Sequence, residues 1–115
     1  MISFKNARTI VDRKADSRRV LQKYPNRIPI VIEKAKNSCI EKLVKNKYLV
    51  PQDFTISQFL TTLRTKLSLS PDKAIFLYTG NCIPPSSETI GQIYQKQADD
   101  DGFLYMTYAS ESTFG

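Results

Sequence analysis

The spacing of apolar residues changes along the chain, and each change marks an element. From Thr55 onward, Ile56, Phe59, Leu60, Leu63 and Leu67 recur at helical spacing and build one apolar face. Thr55 and Gln58 form a T-x-x-Q capping box, with Phe54 and Phe59 at the hydrophobic-staple positions around it. This predicts the clearest helix of the chain, ended by Ser70-Pro71-Asp72. Arg27 to Lys34 alternates instead and predicts a strand. Ile28, Ile30 and Ile32 face one way, and Arg27, Pro29, Val31 and Glu33 face the other. The second set is half apolar, which points to cover on both faces, with an N-terminal helix as the second cover. Pro29 has no N–H, so it must sit where the ladder does not need that donor.

Lys47 to Pro51 predicts a short strand, flanked by lysine and stopped by proline, as at a sheet edge. The Lys- and Asn-rich stretch 35–46 before it reads as a loop. Ala74 to Tyr78 and Phe103 to Tyr108 predict two more strands, the last strongly β in composition. Between them stand the turns Thr79-Gly80-Asn81 and Asp99-Asp100-Asp101-Gly102. A short helix is predicted from Ser87 to Lys96, with Ile90, Ile93 and Tyr94 inward and Gly91 as its weak point. At the start, Val11 to Tyr24 predicts a helix ended by Pro25, with a thin apolar stripe of Ala15, Val20, Leu21 and Tyr24. A short helical turn near Ser3 to Ala7 precedes it. Residues 109–115 predict a mobile tail. The order of elements is α+β, and strands folding over one amphipathic helix describe a β-grasp sheet.

Composition removes several functions. The 115 residues contain no His, which excludes Ser-His-Asp and Cys-His machinery and histidine metal ligands. Cys39 and Cys82 lie too far apart for a CxxC redox or zinc pattern. With no leader pattern in view, they read as passive, reduced cytosolic thiols. No apolar run approaches the roughly 20 residues of a membrane-spanning helix. The formal charge of +6 is uneven: residues 1–50 carry 13 basic and 4 acidic side chains, and the remainder 4 and 7. A basic half implies an anionic partner, such as nucleic acid, an acidic membrane surface or acidic peptides, or else a merely solvated face.

Several segments then add a resemblance. They are Asn26-Arg27-Ile28-Pro29-Ile30-Val31-Ile32-Glu33-Lys34-Ala35, Lys47-Tyr48-Leu49-Val50-Pro51, Asp101-Gly102-Phe103-Leu104-Tyr105-Met106-Thr107-Tyr108 and Ser112-Thr113-Phe114-Gly115. In this order they resemble the autophagy ubiquitin-like modifiers, the GABARAP and microtubule-associated light chain family. Arg13-Lys14-Ala15-Asp16, Gln58-Phe59-Leu60, Ala74-Ile75-Phe76-Leu77 and Ile93-Tyr94-Gln95 match in register, so the likeness spans essentially the whole chain. It implies a ubiquitin-like β-grasp with a four-stranded mixed sheet and two additional N-terminal helices. The expected organisation is one domain: helical residues 1–24, a core at 25–108 and a flexible tail at 109–115.

The resemblance also implies a non-enzymatic modifier without cofactors. Its C-terminal glycine, here Gly115, is joined to phosphatidylethanolamine by activating and conjugating enzymes through cysteine thioesters. A cysteine protease trims precursors and removes the lipid. The protein is expected in the cytoplasm, and on the autophagosomal membrane when lipidated. There it recruits cargo receptors through short acidic peptides with an aromatic and an aliphatic anchor. The family's aromatic-accepting pocket maps onto Asp16, Val20, Pro29, Val31, Lys47, Leu49 and Phe103. Its aliphatic-accepting pocket maps onto Tyr48, Val50, Pro51, Phe54, Phe59 and Leu63. Val31 and Pro29 are the more telling of these, on a strand face that a single-sided sheet would leave wet. Arg27, Lys45 and Lys47 are expected to meet the acidic flanks of the peptide.

The chain departs from the family pattern at Ile10-Val11, where an aromatic is common, and at Glu41, Val44 and Thr62. These changes bear on peptide preference. Two other readings remain open at this point: a peptide-binding scaffold that is never conjugated, and a small basic nucleic-acid binder. For the last, no RNA-binding motif is present.

Overall fold

The structure is a computed structural model, and it describes residues 3–110. The sheet is built from β1 (Arg27–Lys34), β2 (Lys47–Pro51), β3 (Phe76–Tyr78) and β4 (Leu104–Ala109). Their order is β2-β1-β4-β3, with β1 and β4 parallel at the centre and both outer pairs antiparallel. The helices are α1 (Phe4–Ala7), α2 (Ile10–Lys23), α3 (Ile56–Leu67) and α4 (Ile90–Gln97). This is the expected four-stranded mixed β-grasp sheet with two additional N-terminal helices.

Alternation in β1 separates two apolar clusters. Ile28, Ile30 and Ile32 join Val50, Leu104, Met106 and Tyr108 with Phe59 and Leu63 of α3 and Ile90 and Ile93 of α4. On the other face Val31 packs with Phe4 and Phe103, and Tyr105 lies against them. The capping box at Thr55 and Gln58 is formed, and a second one at Thr89 and Gln92 starts α4. That cap places the α4 start at Ile90 rather than near Ser87. Gly91, read from sequence as a weak point, is needed there. Its N–H donates to the Gln52 carbonyl at 2.8 Å, and a Cβ would stand 3.0 Å from that same oxygen.

Three more expectations are corrected. β3 begins at Phe76 rather than Ala74. α3 stops at Leu67, where Ser68 takes a left-handed conformation, before Ser70-Pro71-Asp72 is reached. Ala109 belongs to β4 and is buried, and Ser110 is hydrogen-bonded to Ser38, so neither belongs to a loose tail. Residues 111–115 of the predicted tail lie outside the described residues.

The largest correction concerns α2. Its apolar stripe does not dock it: Ala15 and Tyr24 are exposed, and Val20 and Leu21 are half-buried. The buried face is Arg13, Asp16 and Ser17. The Arg13 guanidinium meets Asp101 Oδ2 at 2.6 Å, and the Ser17 hydroxyl donates to the Asp101 carbonyl at 2.5 Å. The Tyr105 hydroxyl donates to the same Oδ2 at 2.5 Å, and the Phe103 N–H to Oδ1 at 2.9 Å. Asp101 is 1% exposed, so every one of these bonds offsets a desolvation cost. Burial, and then the bond to Asp101, pushes the Tyr105 phenol well above its ordinary range and keeps it a donor.

Gly102 permits this close approach. It has a φ of +92°, and a Cβ would lie 2.4 Å from Ser17 Oγ. Gly102→Ala is therefore expected to destabilise the protein by at least about 1–3 kcal/mol. A urea titration should show a lower midpoint at unchanged slope.

A candidate peptide-binding edge

β2 borders the sheet, and hydrogen-bond parity shows which of its groups are free. The Ile32 N–H donates to the Asn46 carbonyl at 2.8 Å, so the even-numbered residues of β1 turn toward β2. Pro29 consequently faces the β4 side, one residue before that pairing begins at Ile30. Its missing N–H costs no ladder bond. In the register Ile28↔Val50 and Ile30↔Tyr48, Val50 and Tyr48 bond to β1. Lys47 and Leu49 turn their N–H and C=O groups outward.

The side chains of β2 alternate across this border. On the α3 face, Val50, Phe59 and Leu63 are buried and form a floor. Tyr48 and Phe54 pack half-buried against it, and Pro51, paired with Arg27 at the end of the strand, is half-buried as well. The Tyr48 ring meets Phe59 edge-on, with centroids 6.2 Å apart. On the α2 face, Lys47, Leu49 and Val20 are half-buried beside the buried Asp16. Asp16 accepts from Lys47 Nζ at 2.9 Å and from Arg19 at 2.5 Å.

The cover expected on the second face of β1 is present at Pro29 and Val31. Pro29 is buried, and Val31 and Phe103 are 0% and 2% exposed. Phe4 seals them, its ring 5.3 Å from that of Phe103 at 73°. Val31 and Phe103 thus form a buried layer beneath Phe4, and Lys47 Nζ lies 5.7 Å from the centre of the Phe4 ring. Arg27 and Lys45 are exposed at opposite ends of β2, each with its cation over a tyrosine ring, Tyr24 and Tyr48 respectively. Gly115 lies outside the described residues. A separate groove of about 430 Å³ between α2 and the 100–102 turn contains no β2 residue.

Sequence reasoning missed Phe4, Glu33, Arg13 and Asp101 as determinants of the site. The Phe4 N–H donates to Glu33 Oε2 at 2.9 Å, and Lys5 pairs with Asp99 at 2.5 Å, which together fix α1 over Val31. The available signal was Phe4 itself, the one aromatic residue before Tyr24.

The family model described as "Autophagy protein Atg8 ubiquitin like" matches residues 12–115. The chain belongs to the Atg8 family. Autophagy-related protein 8B of Oryza sativa is 47% identical over 113 residues, spanning 98% of this chain and 95% of the relative. Autophagy-related protein 8 of Candida glabrata is 46% identical over 113 residues, spanning 98% and 96%. The crystal structure of Trypanosoma brucei ATG8 superposes with a TM-score of 0.91 at 42% identity, covering 100% of this chain and 99% of that one. Plasmodium falciparum Atg8, solved in complex with a Plasmodium falciparum Atg3 peptide, gives 0.89 at 33% identity, covering 97% and 98%. This Atg8-family chain is thus a ubiquitin-like protein of autophagy. Among its described residues no helix is long and apolar enough to cross a membrane.

Burial draws the Asp99 carboxyl up, but Lys5 and the Asp101 N–H outweigh it and leave the group below its ordinary range. A depressed folded pKa stabilises above the unfolded value and is lost as pH falls through the folded one. Lys5 is half exposed, so the contribution is a few tenths of a kcal/mol. Amide protection in α1, after correction for the intrinsic slowing of exchange in acid, should accordingly fall below about pH 4, and Lys5→Ala should lessen that dependence.

Proposed function

We propose that this protein is a modifier joined through the Gly115 carboxyl to the amine of phosphatidylethanolamine, and that β2 then captures short acidic peptides of cargo receptors. Family membership supports the first half, since the matched span includes Gly115. A glycine carboxyl has no Cβ beside it, so it enters a narrow active-site channel and accepts adenylation and thioester transfer. The amine displaces the thiol, and an amide forms. The Atg3 peptide bound by the Plasmodium relative supports a conjugating-enzyme partner for this chain as well. An activating enzyme must precede that partner, and a cysteine protease would trim precursors and reverse the linkage. On this reading the protein is cytoplasmic until lipidation moves it to the autophagosomal membrane.

The observation that carries the peptide half is the outward-turned main chain of Lys47 and Leu49 at the sheet border, with half-buried side chains on each face. A guest strand pairs with those main-chain groups. Its side chains alternate, so anchors three residues apart fall on opposite faces. The aromatic anchor enters beside Lys47, Leu49 and Val20, above the floor of Pro29, Val31 and Phe103. The aliphatic anchor enters between Tyr48, Pro51 and Phe54, above Val50, Phe59 and Leu63. Arg27, Lys45 and Lys47 meet the acidic flanks. Each buried anchor contributes about 1.5–3 kcal/mol. With strand pairing, and less the ordering cost, the net is about −7 to −9 kcal/mol, on the order of micromolar affinity.

Calorimetry with an acidic W-x-x-L-type peptide tests this half. Leu49→Ala or Lys47→Glu should weaken binding on the order of 10-fold while the fold survives; unchanged affinity in both would refute the groove. For the first half, activating and conjugating enzymes, ATP and phosphatidylethanolamine liposomes should convert the chain to a lipidated form. Gly115→Ala should not convert, and a mutant that still does would exclude this carboxyl. A wild-type chain that binds peptide but is never conjugated would instead be a plain scaffold.

A further inference from the structure

We infer that the 36–45 loop is a docking surface for anionic phospholipid, one that sets how the tethered protein stands on its membrane. The inference rests on Gly115 as the point of lipid attachment. Ser110 is the last described residue, and Gly115 lies five residue steps beyond it, a reach of at most about 18 Å. The bilayer surface must therefore come close to whatever surrounds Ser110.

Two segments flank Ser110: the start of β3, where Phe76 pairs with Ala109, and this loop, which is stitched to the root of the tail. The Ser110 N–H donates to Ser38 Oγ at 3.1 Å, and the Ala35 N–H to the Tyr108 carbonyl at 2.9 Å. The Tyr108 hydroxyl donates to the Glu41 carbonyl at 2.9 Å and accepts from the Leu43 N–H at 2.8 Å. Ile40 and Leu43 pack inward on the main core. The loop is thus held in shape before any surface arrives.

The loop holds Lys36, Lys42 and Lys45 and one acid, Glu41, all four exposed. Between Lys42 and Lys45, Val44 is 107% exposed, the most exposed large apolar residue of those described. A bare aliphatic side chain between lysines fits the boundary of an anionic bilayer, where the valine enters the headgroup layer and ammonium groups meet phosphate and carboxylate. The cations at Lys23 and Arg27 cannot share this contact. They sit at the opposite end of β1, eight residues and about 26 Å from the root of the tail. A loop-down stance also has a consequence for β2, which starts at Lys47 beside the loop and runs away from the surface, leaving its free border accessible.

The chain supplies its own probe sites. Cys39 is exposed in the loop. Cys82 is exposed beyond Tyr78, which pairs with Thr107, so it lies toward the far end of β4. A Cys82→Ser chain would carry a polarity-sensitive nitrobenzoxadiazole dye on Cys39, and a Cys39→Ser chain the same dye on Cys82. A hexahistidine tail after Gly115 would hold each on vesicles containing nickel-chelating lipid, with no enzyme required. The Cys39 dye should shift to the blue and brighten on phosphatidylserine vesicles but not on phosphatidylcholine vesicles, and about 0.5 M salt should reverse it. The double variant Lys36→Glu, Lys42→Glu should reduce the membrane-inserted fraction at least about 10-fold. Val44→Asp should reduce it as well, with an unchanged melting temperature as the control for folding. A Cys39 dye that stays water-like on phosphatidylserine, an equal response from Cys82, or indifference to the lysine variant would each overturn the proposal. Failure of enzymatic lipidation would count against the Gly115 reading alone, because the histidine tether does not depend on it.

Discussion

Asp101 sits where α2, the turn before β4 and the sheet meet, and its carboxylate and its carbonyl are both occupied. Arg13 and Ser17 reach it from α2, Tyr105 from β4, and the Phe103 N–H from the turn itself. A buried carboxylate is tolerable only when such partners surround it, and removing one strands the others. The whole second face of the sheet depends on this arrangement. With α2 in place, Asp16 is held beside Lys47 at the border of β2.

The two faces of the sheet are therefore held by different physics. The α3 face is a hydrophobic core, with Ile30, Phe59, Leu63 and Leu104 essentially inaccessible. The α2 face combines a small aromatic cluster, Phe4, Val31 and Phe103, with a polar network that determines orientation. β2 lies where both faces end. Its border offers directional main-chain groups, and the two faces differ in character. One carries Tyr48 and Phe54 against the core, and the other carries the Lys47–Asp16 pair. A guest strand whose side chains alternate can use both at once.

The far end of the central strands combines two further roles. The β1–β2 connection and the root of the tail are bound to each other through Ser38, Glu41 and Leu43. Under the proposed function, attachment and peptide capture are separated along one strand pair. The tail leaves at the end where β2 begins, and β2 carries its free groups away from it.

Alternation and capping signals were legible in the chain itself. Ile28, Ile30 and Ile32, the Thr55–Gln58 box and the proline-stopped Lys47–Pro51 strand each depend on neighbours a few residues away, so local spacing determined them. The segments that spelled out a family resemblance also indicated the fold and where to look for a groove. Tertiary structure alone decided how α2 docks, because its contact surface is Arg13, Asp16 and Ser17, polar residues that any helical pattern assigns to solvent. Their partner lies 88 positions away in the sequence, in a turn that reads as ordinary. The same reason hid the roles of Phe4, Gly91 and Gly102. A lone aromatic or a glycine has no periodicity, and its meaning comes only from what the folded chain brings against it.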